Sequence, residues 1–235
     1  MVTVDHIGDA FSQLPDGRVV TPIRDDEHAM YALDYARDLR FVLDRVERLA
    51  AGHHPDAGRR PLPDRLGESL DMAHVGVFGW SKGGTAAACA MLTDRRVRAG
   101  LSLDGPMQPG AGHPTVEDDL NRPFMMASAH FTRAQDPNVA VFWSHLKGWR
   151  LNVQADGAVH QSYGDIQILM PQLAKLVGMS DEELREWIGT LDPARAVKIQ
   201  QAYPLAFFDR HLRHDHRGRL LDGPSPAFPE VRYLS

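Results

Sequence analysis

A single cysteine, Cys89, in 235 residues excludes an intrachain disulfide. This sets no compartment, because a domain of this length builds its core without one. No apolar run approaches the about 18–20 residues of a membrane-spanning helix. There is no basic excess either: 26 Lys and Arg against 31 Asp and Glu leave a formal net charge of −5. That argues against a nucleic-acid partner. Arg59-Arg60 and Arg95-Arg96-Val97-Arg98 read as solvated loop or helix ends. The first residues, MVTVDHIGDA, lack the basic and long apolar regions of a signal peptide. As it stands the chain reads as cytoplasmic, and as secreted if an upstream segment carries an export signal. No internal repeat or low-complexity linker divides it, so residues 1–235 read as one domain, with 221–235 an extended tail over the surface.

Five short apolar runs read as buried strands of a parallel sheet: Val2–Val4, Val75–Phe78, Ala99–Leu103, Pro123–Ala127 and Leu151–Ala155. Helical patterns fall between most of them. Residues 26–50 carry one apolar stripe from Met30 to Leu49, with Asp25, Asp26 and Glu27 at the positive end of the helix dipole. Residues 83–93 are mostly small, as a helix lying close on a sheet requires. Pro137–Trp149 and Asp165–Val177 are further helices. Ser180 and Glu183 form a capping box. Asp192 and Pro193 open a last helix to about Arg213, which Pro204 is expected to kink or divide. Strand and helix in alternation predict an α/β class with a mostly parallel, doubly wound sheet.

The sharpest signal is Gly79-Trp80-Ser81-Lys82-Gly83, a G-x-S-x-G between an apolar strand and a small-residue helix. In that context the motif reads as a nucleophile elbow, with Ser81 on a strained turn above the sheet. The Lys82 backbone N–H is then aimed at a developing oxyanion. A serine needs a base, and the base an acid, on loops after later strands. Asp104 closes the next apolar strand and precedes Gly105. Asp136 is the alternative acid, although Asp136-Pro137 also reads as a helix cap. His160, in a glycine-containing loop after the last parallel strand, is the candidate base. His211, His214 and His216 could hold a metal, but read more simply as a solvated helix end, so no metal or other cofactor is expected. Phe131, Phe142, Trp143 and Trp80 are candidates to line an acyl pocket.

The elbow, Leu103-Asp104-Gly105 and the histidine loop resemble the platelet-activating-factor acetylhydrolase family of serine esterases, in its plasma and intracellular isoform II branch. VTVDH, FWSHLKGWR, DPARAV and AFFDRHLR fit the same pattern. The resemblance implies an α/β-hydrolase fold and Ser81, Asp104 and His160 as triad. It also implies hydrolysis of short-chain or lipid carboxylic esters without a metal. Cutinase-like or lipase-like hydrolysis of polyesters or triglycerides is an alternative.

The chain departs from the family in two ways. Trp80 stands where the family usually has His, and Lys82 where an apolar residue is usual. Trp80 either narrows the acyl site or turns aside. The fold also implies a strand, and a loop with a second oxyanion donor, before Met1. On that reading the chain is N-terminally truncated, and Val2–Val4 either pairs with the elbow strand or leaves a gap beside it. A gap would expose a sheet edge and favour homo-oligomers. It also keeps open a non-catalytic hydrolase-fold protein with an incomplete oxyanion hole.

Overall fold

Apolar side chains at successive positions of the central strands divide between the two faces of one sheet, as a period of two requires. The computed structural model describes residues 1–23, 29–56, 58–110 and 116–234. Among them, β3 (Val75–Trp80), β4 (Val97–Leu103), β5 (Phe124–Ser128), β6 (Arg150–Ala155) and β7 (Val231–Leu234) lie side by side in that order. The first four run parallel and β7 pairs antiparallel with β6. A hairpin of two short strands, β1 (Ser12–Gln13) and β2 (Val19–Val20), stands apart from the sheet. This is an α/β-hydrolase fold.

The two faces carry two cores. Leu101, Leu103, Met125 and Val153 pack with Tyr203 and Phe207 of α6 (Pro193–Leu212). Phe124 and Met126 turn the other way, onto Met91 of α2 (Lys82–Thr93) and Phe142 of α3 (Pro137–His145). Every residue of α2 from Gly84 to Met91 is buried, which explains its small side chains. This helix lies between the sheet and the amphipathic α1 (Ala32–Ala50). Ser180 and Glu183 cap α5 (Asp181–Ile188) reciprocally, and Asp192 accepts from the Arg195 amide at the start of α6. Between β6 and α5 lies α4 (Ile166–Val177).

Several expectations need correction. Val2–Val4 forms no strand and is paired with none of the described strands; it lines a groove of about 750 Å³ together with residues of β3 and α1. Its three residues have strand propensity, but a strand also needs a partner for its main-chain groups, and among the described residues none pairs with it. The fifth strand is instead β7, inside the tail that reads as a surface wrap, with Val231 buried. Pro204 leaves α6 undivided. Helix α3 stops at His145 rather than Trp149, because the chain must turn at Gly148 to start β6 beside β5. A Cβ on Gly148 would stand 2.5 Å from the Asn121 carbonyl oxygen. Asp25, Asp26 and Glu27 lie outside the described residues.

Candidate active site

The β3 and β4 ladders place two chemical groups side by side. Trp80 is in register with Leu103, and the Ser81 amide donates to the Leu103 carbonyl at 2.8 Å. The next residue on each strand is therefore Ser81 or Asp104, both at the carboxyl edge of the sheet. Both have left-handed φ, 55° for Ser81 and 50° for Asp104, conformations that a non-glycine residue adopts only when its surroundings impose them. Glycines make the turn possible: a Cβ on Gly105 would stand 2.9 Å from the Ser81 carbonyl oxygen.

His160 opens a short 3-10 turn, His160–Tyr163, after β6. Its Nε2 lies 2.9 Å from Ser81 Oγ and its Nδ1 lies 2.6 Å from Asp104 Oδ2. The Asp104 side chain is fully buried, while that of His160 is 25% exposed, so the serine end of the relay faces outward. Asp104 accepts three further hydrogen bonds, from the amides of Ala129 at 2.7 Å, His130 at 3.0 Å and Phe131 at 2.9 Å. Burial pushes its carboxyl up. The imidazole and the three amides outweigh that and hold it below the ordinary carboxylate value, so it stays ionised in the interior.

The sequence profile of the family described as platelet-activating factor acetylhydrolase, isoform II, matches residues 62–221. The chain belongs to this family. It is 25% identical over 171 residues to a probable 1-alkyl-2-acetylglycerophosphocholine esterase of Arthroderma benhamiae, covering 69% of the chain and 43% of that protein. It is 26% identical over 168 residues to the platelet-activating factor acetylhydrolase of Gallus gallus, covering 69% and 38%. Among solved structures, a ferulic acid esterase from Streptomyces cinnamoneus matches with a TM-score of 0.75 and 31% identity, over 98% of this chain and 64% of that one. The chain thus spans about two fifths of the length of these curated acetylhydrolase relatives.

In this acetylhydrolase-family chain the remaining expected site residues fall in different places. Asp136 is the N-cap of α3, accepting from the Asn138 amide at 2.8 Å, and takes no part in the relay. Phe142 is fully buried edge-on to Phe124, 5.1 Å between centroids, and belongs to the core. Trp143 packs against the same core beneath the Arg133 and Arg150 guanidinium groups. Phe131 does reach the site, edge-on to the imidazole at 5.4 Å. Trp80 turns toward the base: its ring lies 4.9 Å from the imidazole and its indole N–H donates to the His160 carbonyl at 2.8 Å.

Lys82 is the first residue of α2, and its ammonium turns away to Asp9 at 2.5 Å, over the Tyr35 ring. His211 turns inward onto Trp149 and Phe207, whereas His214 meets His74 edge-on. Among the described residues no group of three or more His, Cys, Asp or Glu side chains is placed to hold a metal. No described helix is long and apolar enough to cross a membrane. The amides of residues 129–131 carry no sequence signal, and Trp80, expected only as a pocket residue or turned aside, bonds the His160 carbonyl through a direction that only the folded chain sets.

Proposed function

We propose that the chain is a serine hydrolase that cleaves carboxylic esters through an acyl-enzyme. The observation that carries this is the continuous run of hydrogen bonds from Ser81 Oγ through the imidazole to buried Asp104, at 2.9 and 2.6 Å. In the first step Ser81 Oγ attacks the ester carbonyl carbon while His160 Nε2 takes the hydroxyl proton. Asp104 holds the tautomer with the proton on Nδ1 and stabilises the imidazolium. The Lys82 amide, at the N-terminus of α2, donates to the oxyanion, where the helix dipole favours negative charge. The ester C–O bond then breaks, and His160 returns the proton to the leaving alkoxide. Water, deprotonated by His160, then attacks the acyl carbon; the bond from that carbon to Ser81 Oγ breaks, the acid leaves and His160 returns the proton to Ser81 Oγ.

Short acyl esters are the favoured substrates, in line with the names of the acetylhydrolase relatives. The structural neighbour, a ferulic acid esterase, adds ferulate esters as a second class. Turnover of p-nitrophenyl acetate and methyl ferulate, with fluorophosphonate labelling, tests the reading. Both reactions should occur at Ser81, and Ser81→Ala should abolish labelling and lower turnover by roughly 10⁴ or more. Absence of labelling in folded protein would overturn the proposal and leave a hydrolase-fold protein that binds without catalysing.

A further inference from the structure

The His160 loop is anchored mostly away from the serine. The Gly157 carbonyl accepts from the Thr190 and Leu191 amides, between α5 and α6. The Ser162 hydroxyl bonds the Ile188 carbonyl, and Gln200 of α6 donates to the Ser162 carbonyl at 2.8 Å. These contacts tie the loop to the helical layer. Among the described residues, two side-chain hydrogen bonds join it to the elbow. One is the imidazole–Ser81 contact itself. The other runs from Trp80 Nε1 to the His160 carbonyl oxygen at 2.8 Å.

We propose that Trp80 is a positioning residue that fixes the base relative to the nucleophile, an inference that rests on the serine-hydrolase reading above. Its main chain is covalently adjacent to Ser81. Its side chain holds the main chain of His160, eighty residues later, so one rigid ring spans the two reacting partners. The ring packs against the core under α6 and has only two rotatable bonds, so it can transmit position with little slack. It also lies tilted by 34° against the imidazole, while Phe131 meets that imidazole edge-on at 89°. The imidazole is thereby confined by two aromatic rings as well as by Asp104. Proton transfer from Ser81 depends on this confinement, because a displacement of about 1 Å at a reacting group costs about 10²-fold in rate. Trp80 touches the base through its carbonyl and ring, and acts through it.

The test separates the hydrogen bond from the ring. Trp80 is replaced by 3-benzothienylalanine, which keeps the ring shape and lacks the N–H, and by Phe. Rates are measured with p-nitrophenyl acetate, butyrate and octanoate, together with fluorophosphonate labelling. The benzothienyl protein should lose about tenfold in kcat, the size of one lost neutral hydrogen bond, with KM unchanged. The loss should be equal across the three chain lengths, and labelling should slow by the same factor. Trp80→Phe should lose at least as much. Wild-type kcat in the benzothienyl protein would overturn the proposal. So would a changed chain-length preference at unchanged kcat, which would make Trp80 a pocket wall. Should Phe fail to fold, the isosteric replacement still decides. Activity retained by Ser81→Ala would remove the serine-hydrolase reading itself, whereas an inactive Ser81→Ala beside a fully active benzothienyl protein would remove only the role of Trp80.

Discussion

Gly79 lies directly against the backbone of Gly83: a Cβ at position 79 would stand 2.5 Å from both the carbonyl carbon and the carbonyl oxygen of Gly83. The two glycines of the G-x-S-x-G motif are thus not equivalent. A Cβ on Gly83 would meet nothing within 4 Å, and Gly83 has no left-handed φ. The steric demand at the helix side falls instead on Gly84, whose Cβ would stand 2.3 Å from Ser102 Oγ. Gly79→Ala and Gly84→Ala should therefore lower the melting temperature or abolish soluble expression. Gly83→Ala should keep or raise the melting temperature, since alanine favours a helix by about 1 kcal/mol over glycine. Thermal unfolding of the three variants checks this. Equal damage at all three positions would contradict the assignment of the tight contact to residue 79.

The same contrast marks where sequence reasoning succeeds. The meeting of residues 81, 104 and 160 was legible because local features announce each one. Ser81 sits between an apolar strand and a small-residue helix, Asp104 closes a buried strand, and His160 follows the last parallel strand. What escaped depends on partners distant in the chain. Val2–Val4 has strand composition, yet no described strand pairs with it, while Val231–Leu234 follows a proline-rich stretch and finds β6 about eighty residues upstream. The direction of the Trp80 ring, and the three amides around Asp104, follow from how β5 and the His160 loop end. Residue type at those positions does not encode them.

Asp104 and Asp136 can be told apart by what each removal costs. Asp104 holds the imidazole and is itself held by three amides, with its side chain fully buried. Asp104→Asn keeps the volume but favours the wrong imidazole tautomer, so kcat should fall by about 10³–10⁴. Asp136→Ala removes only a helix cap and should cost about 1 kcal/mol of stability, with kcat unchanged. Ester turnover and urea unfolding of both variants provide the check. A collapse of kcat in Asp136→Ala with full activity in Asp104→Asn would reverse the assignment of the acid.

His211 makes stability depend on pH in a window separate from that of the carboxylates. Its ring is packed on Trp149 at 4.4 Å and Phe207 at 5.0 Å, and its buried Nε2 meets no hydrogen-bond partner among the described residues. Burial, reinforced by the charges of Arg210, His216 and His214, lowers it from 6.5 to about 4. The folded state thus binds this proton less readily than the unfolded chain. Its contribution is complete above about pH 6.5 and is lost as the pH falls toward 4, because the unfolded state takes up the proton first. The depressed carboxyl of Asp104 has the same sign, but it acts only below the ordinary carboxylate value of 3.8. Melting temperatures should accordingly drop between pH 7 and pH 5 in the natural chain. His211→Leu, which cannot take up a proton, should flatten that slope while leaving the steeper acid loss below pH 4. An unchanged slope in the leucine variant would mean that the imidazole stays neutral in both states across this range, or charges equally in both.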